Sequence, residues 1–319
     1  MISVAMCTYN GEKYIQEQLE SIIYQSVPPD EIVICDDCSN DATLEIVKDI
    51  LNSYDGIVQL VSNKHNLGYR KNFEKAISLC HGDIIFLSDK DDVWSSNKIE
   101  IIKTEIEKDQ NILLAFHDVE IVDENLCLTN KSFWNVLHFD YMQFLENDFR
   151  RLMESNVIQG SACAFRRELF TYAVPFPECA VHDEWLGLIA FAKGKILPIN
   201  LKLAKYRQSH NNAIGAGNIT FIKKIKRYLN NSKADYNPYI QVLEKRHKTI
   251  QAYYEYLTKE KELQKVNALT FEFYNKRINW LRNRCILNIV TSLDYFKFFC
   301  TRKLALKCML RDMIACIYH

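Results

Sequence analysis

The chain has 319 residues, 48% hydrophobic and 25% charged, which excludes a disordered or low-complexity protein and gives enough apolar mass for a sizeable core. Its formal net charge is zero, yet residues 1–219 hold 20 Lys+Arg against 32 Asp+Glu, while residues 220–319 hold 20 against 8. A shift of that size marks a boundary, so the domains expected are 1–219 and 220–319.

The chain opens on an apolar strand, Ile2–Cys7. From Glu12 to Gln25 the apolar residues Tyr14, Ile15, Leu19, Ile22 and Ile23 recur at helical spacing, and Pro28-Pro29 ends that helix. Glu31–Cys35 reads as a second strand. Ser39–Thr43 then caps a helix whose face is Leu44, Ile46, Val47, Ile50 and Leu51. Ile57–Val61 is a third strand, Gly68 opens a helix through Phe73, Ala76, Ile77 and Leu79, and Asp83–Leu87 is a fourth strand. The β-α-β-α-β-α-β order predicts an α/β fold with a mostly parallel sheet and right-handed crossovers.

Polar residues gather where these strands end, the edge at which open α/β sheets bind ligands. They are Thr8-Tyr9-Asn10, Asp36-Asp37, the run Asn66–Asn72, and Asp89-Lys90-Asp91-Asp92. Asp89 and Asp91 are one residue apart, so both can turn to one hard cation, while Asp92 suits a cap for the helix after Ser95-Ser96-Asn97. Gly68, Arg70 and Lys71 at a helix N-terminus suit an anion. A G-x-G-x-x-G fingerprint and a G-x-x-x-x-G-K-[ST] loop are both missing.

No run of about 18 apolar residues is found, so no membrane-spanning helix is expected. Met1–Met6 is short and lacks a basic start, so no secretory leader is expected either. The 11 cysteines are scattered and odd in number, as in a reduced cytoplasmic protein; Cys35-x-x-Cys38 lacks the second pair of a zinc site. Residues 220–319 interleave aromatics with cations, as in Phe221–Leu229 and Tyr295–Leu304. Two arrangements are open for them. One is attachment to an anionic membrane surface, peripheral on the inner face of the plasma membrane. The other is a helical subdomain packed on the rest of the chain. No nucleic-acid-binding module is present, and nucleic acid is not an expected partner.

Taken in order, Val4–Asn10, Ile34–Asp41, Asn66–Asn72, Ser88–Trp94, Gly160-Ser161, His182-Asp183-Glu184-Trp185 and Tyr206–His210 resemble a family 2 glycosyltransferase over about residues 1–215. Within that family the Ser88–Trp94 run, with Asn66-Leu67-Gly68 before it, looks most like the rhamnosyltransferase-like branch. The resemblance implies the GT-A fold, Rossmann-like, with a C-terminal helical subdomain. It implies an inverting transferase that moves a sugar from a nucleoside-diphosphate sugar, dTDP-L-rhamnose or a UDP-hexose, to a glycan or lipid-linked glycan of the bacterial surface. Thr8, Tyr9, Asn10, Asp36 and Asp37 would hold the nucleoside. Asn66, Gly68, Arg70, Asn72 and Arg207 would hold the diphosphate side. Asp89 would reach ribose or metal, Asp91 would ligate Mn²⁺ or Mg²⁺, and His210 would be a third ligand. Asp183 would be the base, with Glu184 as fallback, and Gly160–Cys163 would line the acceptor site. Cys38 stands where this family usually has glycine. Two other readings are weighed. A non-catalytic nucleotide-sugar-binding or scaffolding protein at the membrane has no need of the base. A nucleotidyltransferase usually has a glycine-rich basic loop after its first strand, which Thr8–Glu12 is not.

Overall fold

The structure, a computed structural model, describes residues 1–145, 150–208, 237–259, 265–283 and 285–295, and most positions from 305 to 313. It divides into two compact units, one of residues 1–147, 156–176 and 181–215, the other of residues 148–155, 177–180 and 216–319.

The first unit is a helix-flanked mixed sheet. Strands β1 (Ile2–Thr8), β2 (Glu31–Asp36), β3 (Ile57–Ser62) and β4 (Ile84–Ser88) alternate with helices α1 (Ile15–Ile23), α2 (Thr43–Leu51) and α3 (Tyr69–Ser78). All four strands run parallel, in the spatial order β3-β2-β1-β4. β1, β2 and β4 are buried along their whole length, as continuous apolar runs covered on both faces must be. α1, α2 and α4 (Lys98–Glu107) close one face through Ile15, Leu19, Ile22, Val47, Ile99, Ile102 and Ile106. α3 turns Phe73, Ala76 and Ile77 inward.

After β4 the pattern changes. A two-residue strand β5 (Val93–Trp94) precedes α4, and β6 (Ile112–Val122) and β7 (Leu128–Ser132) follow it. β8 (Cys163–Arg166) inserts antiparallel between β4 and β6, and β9 (Lys195–Arg207) runs parallel to β6 and antiparallel to β5. The β6–β9 pairing shifts register three times along its length, so both strands bend. Between β7 and β9 in chain order come the short helices α5 (Phe133–Leu137), α6 (Tyr141–Leu145) and α7 (Arg150–Glu154), the last belonging to the second unit, then α8 (Arg167–Ala173) and the longer α9 (His182–Lys193).

The second unit contains α10 (Asn237–Lys259), α11 (Lys265–Arg282) and α12 (Ile286–Thr291). In its interior Arg277 meets Asp312 through two bonds, Nε to Oδ2 at 2.5 Å and Nη2 to Oδ1 at 2.9 Å, and the Tyr295 hydroxyl donates to the same carboxylate. Among the described residues no helix is long and apolar enough to cross a membrane.

Candidate active site

The sheet delivers the ends of β1, β2 and β4 to one edge. At the end of β2, Asp36 accepts from the Thr8 hydroxyl at 2.7 Å and from the Ser39 N–H at 2.9 Å, so it pins β1 to the turn after β2. Cys38 in that turn has φ +71°, in the left-handed region that favours glycine, which is why glycine suits this position. Asp37 accepts from the Leu67 N–H at 2.7 Å, the Gly68 N–H at 2.8 Å and Asn63 Nδ2 at 2.9 Å. The N–H groups before α3, read from sequence as facing phosphate, are directed at Asp37, because a carboxylate at the end of β2 reaches them. Asn66 Nδ2 donates to the Asp37 carbonyl at 3.1 Å. Asn72 is buried beneath, donating to the Cys35 carbonyl at 2.7 Å and accepting from Asn63 at 2.8 Å. Arg70 is half-buried on the first turn of α3. Tyr9 and Asn10 remain exposed at the end of β1, with Asn10 at φ +48° accepting from the Asn40 N–H at 3.0 Å.

The acidic loop follows β4. Asp89 and Asp91 are half-buried, and Lys90 Nζ stands 3.0 Å from Asp91 Oδ2. Burial raises the Asp89 carboxyl to about 7, and the charges of Asp91 and Asp183 push it the same way. Two hard carboxylates one residue apart, with only the flexible Lys90 side chain paired to Asp91 among the described residues, fit Mg²⁺ or Mn²⁺. Among the described residues no group of three or more His, Cys, Asp or Glu stands ready to hold a metal, and His210 lies outside the described residues.

Asp92 differs from its expected role. It is fully buried and caps nothing: Oδ2 accepts the Ser161 hydroxyl, and Oδ1 accepts the Arg207 N–H at 3.2 Å. Arg207 has a side chain only 3% exposed. Its Nε donates to the Asp91 carbonyl at 2.9 Å, Nη1 to the Glu124 carbonyl at 2.6 Å and Nη2 to Glu17, over the Tyr14 ring. In this conformation the guanidinium ties β9 to the acidic loop.

Asp183 stands at the start of α9 and is buried. Its Oδ1 accepts from Asn156 Nδ2 at 2.9 Å and from the Glu184 N–H at 2.6 Å, and the Gly160 backbone bonds the same carboxyl. Desolvation raises Asp183 to about 7, which suits a base working near neutral pH. Glu184 turns back toward the Val181 N–H at 3.5 Å. Beside them His182 is buried and stacked on Phe73, ring centroids 4.0 Å apart, with neither ring nitrogen hydrogen-bonded; burial drops it to about 3, so it is neutral. Gly160–Cys163, expected to line the acceptor site, are all buried, with Gly160 lying against His182 and Asp183. A Cβ on Gly160 would lie 2.9 Å from His182 Nε2 and 3.5 Å from Asp183 Oδ2.

Sequence reasoning passed over Lys98 and His182. Lys98 is fully buried, its Nζ 3.7 Å from the Trp94 ring centroid and donating to the Ser161 carbonyl. A signal was available, since Lys98 shares one helical face with Ile102 and Ile106. The buried partners of His182 carry no such periodic mark.

The family description "Glycosyl transferase family 2" matches residues 3–172. A dTDP-rhamnosyl transferase, RfbG of Shigella flexneri, is 31% identical over 237 residues, 70% of this chain and 77% of that protein. Among solved structures, Staphylococcus aureus TarS 1-349 in complex with UDP-GlcNAc superposes with a TM-score of 0.59 at 16% identity, covering 98% of this chain and 81% of that one. The mannosyltransferase PcManGT of Pyrobaculum calidifontis, in complex with GDP-Man and Mn²⁺, gives 0.53 at 17% identity, covering 99% and 85%. With its GT-A sheet and this set of matches, the chain belongs to glycosyltransferase family 2.

Proposed function

We propose that this enzyme transfers a hexosyl group from a nucleoside-diphosphate sugar to a hydroxyl of a growing bacterial surface glycan, inverting the anomeric centre. The observation that carries the reading is geometric: the acidic loop after β4 is bonded through Asp92 to Ser161, and Gly160 next to it in the chain lies against the buried Asp183 at the start of α9. Asp183 takes the proton of the acceptor hydroxyl as that oxygen bonds to the anomeric carbon. The bond from that carbon to the diphosphate oxygen breaks, and its electron pair leaves with the diphosphate. A single displacement of this kind inverts the centre and needs one base, not the carboxylate pair of a retaining glycosidase. A divalent cation at Asp89 and Asp91 would supply positive charge for the leaving diphosphate. Tyr9, Asn10 and the Asp36-Asp37 turn form the nucleoside side. The similarity to RfbG favours dTDP-L-rhamnose as donor, and the TarS complex makes a UDP-sugar the rival. The acceptor is a glycan or a lipid-linked glycan.

The test is donor turnover with dTDP-L-rhamnose and UDP-glucose in Mn²⁺ and in EDTA. Turnover is expected to stop in EDTA and in Asp91→Asn, with the melting temperature of the variant near that of the wild type. Full turnover in EDTA refutes the metal assignment.

A further inference from the structure

We propose that Asp92 is a positioning residue that couples the metal-binding loop to the wall carrying the base; the proposal rests on the reading of Asp89, Asp91 and Asp183 above. Asp92 is 0% exposed, one residue beyond Asp91, and its two carboxylate oxygens face different parts of the fold. Oδ2 takes the hydroxyl of Ser161, and Oδ1 takes the backbone N–H of Arg207 at the end of β9. Each partner leads on to one half of the chemistry. Ser161 follows Gly160, whose backbone bonds Asp183 and whose missing side chain lets His182 and Asp183 close in. Arg207 returns to the acidic loop through Nε, which donates to the Asp91 carbonyl at 2.9 Å. Lys98 braces the joint from beneath, donating to the Ser161 carbonyl over the Trp94 ring.

The consequence is mechanical. In-line displacement needs the leaving group and the base on opposite sides of one carbon, and a misplacement of about 1 Å can cost 10²-fold in rate. The acidic loop and the Gly160–Ala162 turn come from segments some 70 residues apart, and the Asp92–Ser161 bond joins them directly. A buried carboxylate without its donors is costly, so the loop is held where both donors reach it. Asp92 itself has both oxygens turned to protein donors, which is why it is distinguished from Asp89 and Asp91.

The experiment is a double-mutant cycle on the full chain with Asp92→Asn and Ser161→Ala. Mn²⁺ binding in the presence of UDP or dTDP is read by electron paramagnetic resonance. Donor turnover is read as nucleoside-diphosphate release from UDP-glucose and dTDP-L-rhamnose, and folding by near-ultraviolet circular dichroism. Each single variant is expected to lose about 10–10² in kcat, with Mn²⁺ affinity within about three-fold of wild type, and the double variant to lose no more than the worse single one. Should Asp92→Asn fail to fold, Ser161→Ala, which leaves the carboxylate in place, still has to show the same split between kcat and Mn²⁺ affinity. Complete loss of Mn²⁺ binding in folded Asp92→Asn would make Asp92 a metal ligand and overturn the proposal. So would unchanged kcat in Ser161→Ala, or losses that simply add. If the wild type binds no Mn²⁺ with either nucleotide, the metal reading itself fails, which is a different result.

Discussion

Asp183 is both the proposed base and a burden on the fold. Its folded pKa of about 7 lies above the ordinary carboxylate value of about 4, because burial disfavours the charge. Between those two pH values the folded state keeps a proton that the unfolded chain has lost. Stability therefore falls as pH rises through that window, and the full penalty is present above pH 7. Asp183→Asn removes the charge and keeps an acceptor for Asn156. The variant should melt higher than wild type at pH 8, by about 1–3 kcal/mol in stability, and show no gain at pH 4. Its turnover should fall by about 10²–10⁴ with donor affinity kept. The same pKa sets the pH dependence of the wild type, whose turnover should decline on the acid side with a midpoint near 7. A melting series at both pH values and a pH–rate profile check these expectations. Normal turnover in Asp183→Asn together with loss in Glu184→Gln would move the base one residue along.

At the scale of elements, the contact that matters is between the Gly160–Ala162 turn and the start of α9. His182 cannot slide away from Gly160, because Phe73 stacks on its ring. Gly160→Ala places a methyl 2.9 Å from Nε2, so either the ring or the turn must shift, and Asp183 shifts with it. The expected outcome is a drop of about 10–10² in kcat with nucleotide affinity retained, measured by turnover and by UDP or dTDP titration. An unchanged kcat would mean that this contact does not aim the base. The residues of this wall stood out in sequence only through the family resemblance, their packing on one another was not legible, and the reason is physical. The parallel half of the sheet was legible because β1, β2 and β4 are continuous apolar runs and α1 to α3 show helical periodicity, both local signals. The insertion of β8 between β4 and β6, and the bent pairing of β6 with β9, depend on contacts distant in sequence that no local period encodes. The acidic run after β4 was visible as a site, yet nothing in Asp89-Lys90-Asp91-Asp92 separates the buried carboxylate from the two half-buried ones. Arg207 likewise read as a phosphate partner by position, and its fit among Glu17, Asp91, Glu124 and Tyr14 emerged only from the fold.

For the whole molecule the unexplained property is charge. Residues 220–319 hold 20 Lys+Arg against 8 Asp+Glu, and among the described residues there Arg277 pairs with Asp312, Lys276 with Glu272 and Asp294, and Arg282 with Glu244. Val242, Leu287, Leu293, Leu306 and Leu310 of the second unit are exposed as well. Cations and exposed apolar side chains on one unit suit a surface that is both anionic and greasy, each cation near anionic lipid adding about 1 kcal/mol. A lipid-linked acceptor would be presented on such a surface, so attachment would raise the local concentration of substrate. The full chain should therefore float with vesicles containing phosphatidylglycerol at low salt and stay in solution with neutral vesicles. Because exposed charges are screened over about 8–10 Å at physiological ionic strength, binding should weaken steeply as salt is added. Residual binding at high salt would measure the apolar share, which salt does not screen. Absence of flotation with anionic vesicles at low salt would instead assign these cations to solvent and to ion pairs within the protein, and the acceptor would have to be met in solution.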